Sequence, residues 1–254
     1  MTRLSVPLRI IALLALLAGL AFLAVRIPSA NAEPEYVLAV SWQPAFCETR
    51  PKVRECRNQG EDRADTRQFS LHGLWPQSPK GKAGRAYCGV KMADIKRDKT
   101  GRWRDLDMKR LSGDLWQRLK TAMPGTQSHL ERHEWIKHGT CVEGATPESY
   151  FATSLALLDA LNASSVRELF AGNIGKQISG EAIRNAFDTA FGPGAGGRLR
   201  IACKQDDGRR LITELTIGLS GAMGEKPDLA TLIAAAQPTD PGCPGGIVDP
   251  AGLQ

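Results

Sequence analysis

The feature of this sequence that most constrains its fold is a set of six cysteines, all of which follow residue 32. An even number of cysteines in an exported chain predicts three disulfide bonds and an oxidising compartment. No Cys-x-x-Cys pair occurs, so the spacing is not typical of a metal site. Cys47 and Cys56 are close enough in sequence to pair with each other, but six cysteines allow many pairings and their spacing does not choose among them.

The first 32 residues have the pattern of an export signal. Two arginines give a basic start, residues 10–25 form an apolar run, and residues 30–32 are Ala-Asn-Ala, a small-x-small cleavage pattern. The run is slightly short for a membrane span, which favours cleavage over the alternative of an uncleaved anchor. We therefore expect a signal peptide at residues 1–32 and a single domain at residues 33–254. The mature protein would be periplasmic or secreted, without stable membrane association.

The net charge argues against one class of function. Removal of the signal takes away three arginines, so the 33 basic residues fall to 30 against 27 acidic ones and the net charge falls from +6 to +3. A charge of this size permits an anionic partner but does not require one. It does not support binding of nucleic acid through a strongly basic surface.

Hydrophobic periodicity predicts helices mostly in the middle of the mature chain and strands at both ends, which is typical of an α+β domain. Strands are expected at residues 36–42, 69–75, 199–203 and 211–219, the last two as an antiparallel pair. Helices are expected at residues 106–122, 146–161 and 179–191 and around residues 133–138. Thr146 would be the N-cap of its helix. The polar or basic segments 47–68 and 78–104 are expected to be surface loops.

Residues 133–138 concentrate chemically active side chains in the segment His-Glu-Trp-Ile-Lys-His. On a helix the four polar side chains share one face, and Trp135 and Ile136 form the buried face. The four are His133, Glu134, Lys137 and His138. Such a face either binds a ligand or is simply solvated, and the spacing alone does not distinguish the two. Cys141 would fix the end of this helix.

A zinc site must be considered because His133-Glu134 is also how the helix of many zinc hydrolases begins. That helix carries its second histidine at position i+4, so that both ligands lie on one face. Here the i+4 residue is Lys137, whose charge repels a metal ion, and His138 lies farther round the helix. The spacing therefore predicts no metal, and no other pattern predicts a cofactor.

A further candidate is His72, inside the expected strand at residues 69–75. A histidine in an apolar strand is more often a core residue whose hydrogen bonds are satisfied. Gly73 would allow close approach of the backbone, however, and Trp75 offers a flat surface suited to base stacking. His129 lies in a polar stretch and is expected to be a solvated surface residue.

Two segments of the chain are similar to a known family. Residues 69–76 (Phe-Ser-Leu-His-Gly-Leu-Trp-Pro) and 133–141 (His-Glu-Trp-Ile-Lys-His-Gly-Thr-Cys) resemble the two active-site segments of the ribonuclease T2 family. Residues 36–43 and the signal resemble its bacterial periplasmic branch. The resemblance implies an α+β fold with a central antiparallel sheet and packed helices. It also implies the disulfides Cys47–Cys56, Cys88–Cys141 and Cys203–Cys243.

The resemblance implies a metal-independent endoribonuclease that cuts single-stranded RNA. The family's acid–base pair matches His72 and His138. The residues that stabilise the phosphorane match Glu134 and Lys137, and a phosphate-binding histidine matches His133. RNA carries its own nucleophile, the 2′-OH, so the expected products are a 2′,3′-cyclic phosphate (the lyase step) and then a 3′-phosphate (the hydrolase step). DNA would not be cut, and we expect a monomer.

Base recognition is where the chain departs from the family pattern. Gln77 stands where many members carry an acid that helps to read the base, so their base preference cannot be carried over. Trp75 offers a stacking face, and Tyr87 is a candidate for a second. The alternative functions are a catalytically silent member that binds RNA or a protein target, and the zinc hydrolase that Lys137 disfavours.

Overall fold

The computed structural model describes residues 35–78, 85–224 and 226–254. The expected signal peptide at residues 1–32 lies outside these ranges, so the division of the chain into a signal and one domain stays a prediction. Among the described residues, no helix combines the length and the apolar character that a membrane span requires.

One sheet organises the described part of the chain. Its strands are β1 (Tyr36–Ser41), β2 (Ser70–Pro76), β3 (Gln177–Ser179), β4 (Leu199–Asp206), β5 (Arg209–Leu219) and β6 (Gly245–Ile247). The strand order is β2-β1-β5-β6-β3, with β4 also paired to β5. The pairings are antiparallel, as expected, except that β6 runs parallel to β5 at Leu211–Ile247. The sheet is therefore mixed, and all four expected strands belong to it.

Eight α-helices occur in the described ranges. They are α1 (Gln43–Glu48), α2 (Met92–Lys99), α3 (Gly113–Ala122), α4 (Leu130–Lys137), α5 (Pro147–Asn162), α6 (Ser165–Ala171), α7 (Gly180–Phe191) and α8 (Leu229–Ala235). The fold is thus α+β, as the periodicity predicts. Helix α5 begins at the expected cap, since the Thr146 hydroxyl accepts from the Ser149 N–H and Ser149 caps Thr146 in return.

Two expectations for the middle of the chain are wrong. Residues 78–104 are not only loop, because α2 lies within them; it buries few apolar side chains and so leaves no periodic signal. The helix expected at residues 106–122 begins only at Gly113. Residues 106–112 form neither helix nor strand, and the Arg132 side chain donates to the carbonyl oxygens of Arg104 and Leu106 at 2.6 and 2.9 Å.

A β-bulge distorts β2 at a chemically important position. In the β1–β2 ladder Ala39 pairs with Gly73 and Val40 with Leu71, so His72 is an extra residue without a partner strand position. A bulge bends the strand and re-aims the side chain at that position.

A second bulge lies in the hairpin of β4 and β5. Ala202 pairs with Glu214 and Cys203 with Ile212, which leaves Thr213 as the extra residue. Glu214 follows this bulge directly. The two bulges therefore determine the backbone geometry from which His72 and Glu214 project.

Three disulfides cross-link the fold. They join Cys47 to Cys56, Cys88 to Cys141, and Cys203 to Cys243, the same pairs that the family resemblance implies. Cys88–Cys141 ties the segment after residue 85 to the turn that follows α4. The described chain contains no free cysteine.

Candidate active site

The bulge of β2 and the end of α4 face each other across one glycine. A Cβ atom at position 73 would overlap the carboxylate of Glu134 and crowd the Trp75 indole nitrogen. Strand and helix can therefore approach this closely only because residue 73 has no side chain. This approach brings His72 and Trp75 on the strand next to Glu134 on the helix.

Glu134 is the buried centre of the site, with 1% of its surface exposed. Its Oε2 accepts a hydrogen bond from the Trp75 indole at 2.8 Å. Its Oε1 lies 3.9 Å from His72 Nε2 and 3.8 Å from His133 Nε2. Burial raises the pKa of Glu134, and the charges of His72 and His133 oppose that rise. The expected helix face is therefore only partly right, because Glu134 is the most buried of its four polar side chains and does not face solvent.

His72 is held between two carboxylates. Its Nδ1 lies 2.5 Å from Oε2 of Glu214, and its Nε2 points toward Glu134. Burial lowers the pKa of His72, but the hydrogen bond to Glu214 and the charges of Glu134 and Glu214 outweigh it. The net result is a pKa above the ordinary value, so His72 holds its proton more strongly than a free imidazole.

His138 has the opposite environment. It follows the last residue of α4, and its backbone N–H still donates to the Glu134 carbonyl at 3.0 Å. Its Nδ1 is buried and has no hydrogen-bond partner among the described residues. Burial, followed by the positive charges of Lys137 and His133, lowers the pKa of His138 to about 3. This imidazole is therefore neutral across the ordinary pH range.

His133 is fixed by a residue that the sequence did not single out. Its Nδ1 lies 2.7 Å from Oδ1 of Asp98, on α2, and its ring is stacked at 31° on Trp103 with centroids 4.7 Å apart. Oδ2 of Asp98 accepts the Tyr87 hydroxyl at 2.7 Å. Tyr87, a candidate base-binding residue, thus has its hydroxyl engaged by a carboxylate in this structure.

Lys137 completes the cationic side of the site. It is half-buried at the end of α4; its charge helps to lower the pKa of His138 and partly opposes the raised pKa values of His72 and Glu134. Its carbonyl accepts the Tyr87 N–H at 2.8 Å. All five residues that the resemblance marks as catalytic or phosphate-binding therefore influence one another in a single site.

The Trp75 ring lies between His72 and His138. Its ring meets the His72 ring edge-on at 5.1 Å and lies 5.5 Å from the His138 ring at 31°. The Gln77 amide donates to the Trp75 backbone carbonyl at 2.9 Å. Trp75 has a structural role as well as a possible stacking face, since its indole also holds Glu134.

One of the two arguments against a metal site, the separation of His133 and His138 around the helix, is wrong. The ideal helix puts His138 away from His133, but α4 ends at Lys137, and His138 is the C-cap residue with a φ of −115°. As a result, ligand atoms of His133, Glu134 and His138 lie within 4.8 Å of one another. The ammonium group of Lys137 remains the physical reason to expect no metal there, and that absence stays a prediction.

Sequence reasoning missed Asp98, Trp103 and Glu214. Asp98 and Trp103 lie in a basic segment without periodicity, and Glu214 lies in a strand that looked purely structural. No local pattern marks them, because each acts through a partner far away in sequence. His129 is also not a freely solvated residue, since 30% of its side chain is exposed and burial lowers its pKa.

A cavity of about 460 Å³ opens beside His72 and Glu214. Its walls are largely apolar, with polar groups from Ser41, Gln43 and Thr213 among them. The apolar part includes Phe46, Val53, Leu71, Trp103 and Leu130, and the cations Arg50 and Lys204 also line it. Its size and lining suit a ring-shaped polar ligand such as a nucleoside.

Comparisons with known proteins agree with this geometry. The model of the ribonuclease T2 family matches residues 35–230. Ribonuclease I of Escherichia coli K12 is 31% identical over 205 residues, which cover 72% of this chain and 74% of that protein. Ribonuclease MC of Momordica charantia is 27% identical over 190 residues, 67% of this chain and 88% of its own length.

Solved structures show the same fold. Japanese pear S3-RNase superposes with a TM-score of 0.56 at 17% identity, covering 84% of this chain and 98% of its own. RNase NT in complex with 5′-AMP gives a TM-score of 0.54 at 18% identity, over 87% of this chain and 100% of its own. At these identities the likeness establishes the architecture alone.

Proposed function

This chain belongs to the ribonuclease T2 family, and from that premise we propose how its site cleaves RNA. The chain is an endoribonuclease. The observation that supports our assignment of roles is the opposite protonation of two histidines on either side of one tryptophan. The pKa of His72 is raised, which favours its protonated form, whereas His138 has a pKa of about 3 and is neutral.

His138 is the general base of the first step. The neutral imidazole takes the proton of the 2′-OH, and the 2′-oxygen attacks the adjacent phosphorus. His72, as imidazolium, gives its proton to the 5′-oxygen as the P–O5′ bond breaks. The products are a 2′,3′-cyclic phosphate and a free 5′-hydroxyl. Because the nucleophile belongs to the ribose, the reaction needs no metal-activated water, and DNA is not a substrate.

The second step runs with the roles exchanged. After the first step His138 carries the proton and His72 is neutral. His72 then takes a proton from water, the water oxygen attacks the cyclic phosphate, and His138 returns its proton to the 2′-oxygen. The product is a 3′-phosphate, and both histidines are restored to their starting states.

Cations offset the charge on the phosphoryl oxygens. A phosphate that bridges His72 and His138 would lie next to Lys137 and His133. A fixed positive charge there stabilises the phosphorane more than the ground state. Glu134 acts behind them, because its buried carboxylate lies 3.8 Å from His133 Nε2 and its charge favours the protonated form of His72. Asp98 orients His133 through Nδ1, which leaves Nε2 on the side of Glu134 and His138.

The proton donor defines the direction of the RNA. His72 protonates the 5′-oxygen of the leaving nucleoside, so that nucleoside lies on the side of His72. The cavity beside His72 and Glu214 is on this side and would hold it. The upstream nucleoside, which carries the 2′-OH, lies on the side of His138, where Trp75, Gln77 and Tyr87 are the candidates for base contact.

A single assay separates this proposal from its alternatives. Purified mature protein is incubated with yeast RNA in excess EDTA, with single-stranded DNA as a parallel substrate. We expect RNA to be cut to 2′,3′-cyclic and 3′-phosphate ends while DNA stays intact. Retention of RNA without cleavage would favour a silent binding protein, and cleavage lost only on chelation would favour a metal enzyme. Export to the periplasm or beyond, and a monomeric state, belong to the same proposal.

A further inference from the structure

The cavity beside His72 carries two cations that the cleavage steps do not use. Arg50 and Lys204 line it together with His72 and Glu214, and both residues are exposed. The Arg50 guanidinium lies 5.7 Å above the ring of Phe46, and neither cation forms an ion pair with a carboxylate of the described ranges. Two unneutralised cations at one cavity are available to an anionic ligand.

The two carboxylates that line this cavity have hydrogen-bond partners other than Arg50 and Lys204. Glu214 binds His72. Glu55 is buried, and its Oε2 accepts the Ser128 hydroxyl at 2.5 Å. Neither carboxylate forms an ion pair with Arg50 or Lys204, so both cations remain unpaired toward an anion that enters the cavity.

Disulfides hold both cations on rigid backbone. Arg50 lies inside the short loop closed by Cys47–Cys56, and Lys204 directly follows Cys203, which is bonded to Cys243. Preorganised groups lose less entropy when a ligand binds. The sheet also separates Lys204 from Glu214. Ala202 is the residue opposite Glu214, and Lys204 lies two residues, or about 7 Å, farther along β4.

We propose that Arg50 and Lys204 form a binding subsite for the phosphate on the 3′ side of the leaving nucleoside. This inference rests on the proposed function, which places that nucleoside in the cavity with its 5′-oxygen at His72. Its 3′-oxygen then points away from His72, and Arg50 and Lys204 are the unpaired cations that line this cavity. The enzyme should accordingly prefer RNA that continues at least one phosphate beyond the leaving nucleoside.

The test compares substrates that differ only in this phosphate. UpU and ApA are each prepared with and without a 3′-terminal phosphate, and kcat/KM for cleavage of the internal bond is measured at low salt. For the wild-type protein we expect the added phosphate to raise kcat/KM about tenfold. The gain should shrink as salt rises, because exposed charges are screened.

Paired variants assign the gain to the two residues. In the Arg50→Gln/Lys204→Gln protein the ratio of the two kcat/KM values should fall to near one. In the matched control Arg118→Gln/Lys120→Gln, whose two substitutions lie on α3 away from the cavity lining, the ratio should stay at the wild-type value. Near-ultraviolet circular dichroism and thermal unfolding establish that each variant is folded.

Three results would contradict the subsite, and they are distinguishable. A wild-type ratio near one would show that no downstream phosphate is bound. A tenfold ratio that persists in the Arg50→Gln/Lys204→Gln protein would show that other groups bind it. Failure of the wild-type protein to cleave any of the substrates, or yeast RNA, would overturn the proposed function and this subsite with it.

Discussion

The strand side and the helix side of the site each carry one histidine of the acid–base pair, and the two imidazoles lie in opposite environments. On β2, His72 is held by Glu214 and lies near Glu134, and its pKa is raised. Beyond α4, His138 has a buried Nδ1 without a described partner and cations around it, and its pKa falls to about 3. Acid and base are thus distinguished by their surroundings: burial, reinforced by cations, lowers the pKa of His138, whereas two carboxylates outweigh burial at His72.

The largest effect is expected from removal of the base. His138→Ala leaves the 2′-OH without a proton acceptor, so kcat/KM for RNA should fall by roughly a thousandfold or more. Initial rates on a defined oligonucleotide measure this. Substantial RNA cleavage by His138→Ala would show that the helix side does not supply the base.

A smaller effect tests the strand side. Glu214→Gln removes the charge that raises the pKa of His72, so the alkaline limb of the pH–rate profile should move to lower pH by about one unit. The acidic limb should stay in place, and activity at pH values above the wild-type alkaline limb should fall about tenfold. Glu168→Gln, an exposed substitution on α6, is the matched control. An unchanged alkaline limb in Glu214→Gln would remove Glu214 from this role.

The contact between the two sides can be broken sterically. Gly73→Ala places a Cβ against the Glu134 carboxylate, and we expect a loss of about 1–3 kcal/mol in unfolding free energy together with reduced activity. Gly113→Ala, at a position with no atom within 4 Å of the new Cβ, is the control and should be nearly neutral. Urea unfolding measures both. Equal stability of the two variants would mean that β2 and α4 are not in close contact.

The smallest effect concerns stability against pH. Since the folded pKa of His138 lies below its unfolded value, the unfolded state binds a proton that the folded state does not as pH falls from about 6.5 toward 3. This imidazole therefore contributes a loss of unfolding free energy as pH falls, so the slope of unfolding free energy against pH should be more positive in the wild-type protein than in His138→Ala, by up to about 1.4 kcal/mol per pH unit. Parallel slopes for the two proteins between pH 7 and pH 4 would exclude the lowered pKa.

Much of the fold follows from local sequence. The strands near residues 36 and 70, the β4–β5 hairpin and the capped start of α5 are predicted by apolar pattern, turn residues and capping chemistry. The hairpin turn, for example, is Asp207-Gly208, and both residues adopt the positive φ that such a turn requires. Helix α2 was not predicted, because it is held by contacts with distant residues rather than by an apolar stripe.

The residues of the site, like the elements of the fold, were only partly predictable from the sequence. The two motif segments identify His72, Glu134 and His138, but not the groups that set their pKa values. Glu214 reaches His72 across 142 residues of sequence, and Asp98 reaches His133 across 35. The bulge at His72 depends on strand register, which no local pattern encodes. Chemistry-bearing residues could therefore be predicted, whereas their partners required the fold.

The most direct test of the central claim is an NMR titration of the imidazoles in the free protein. The chain has four histidines, and single His→Ala variants would assign each signal. We predict that His72 titrates above 6.5, whereas His138 stays neutral down to about pH 4. If the two histidines titrate together near 6.5, or if His138 has the higher pKa, the assignment of acid and base to the two sides of the site is wrong.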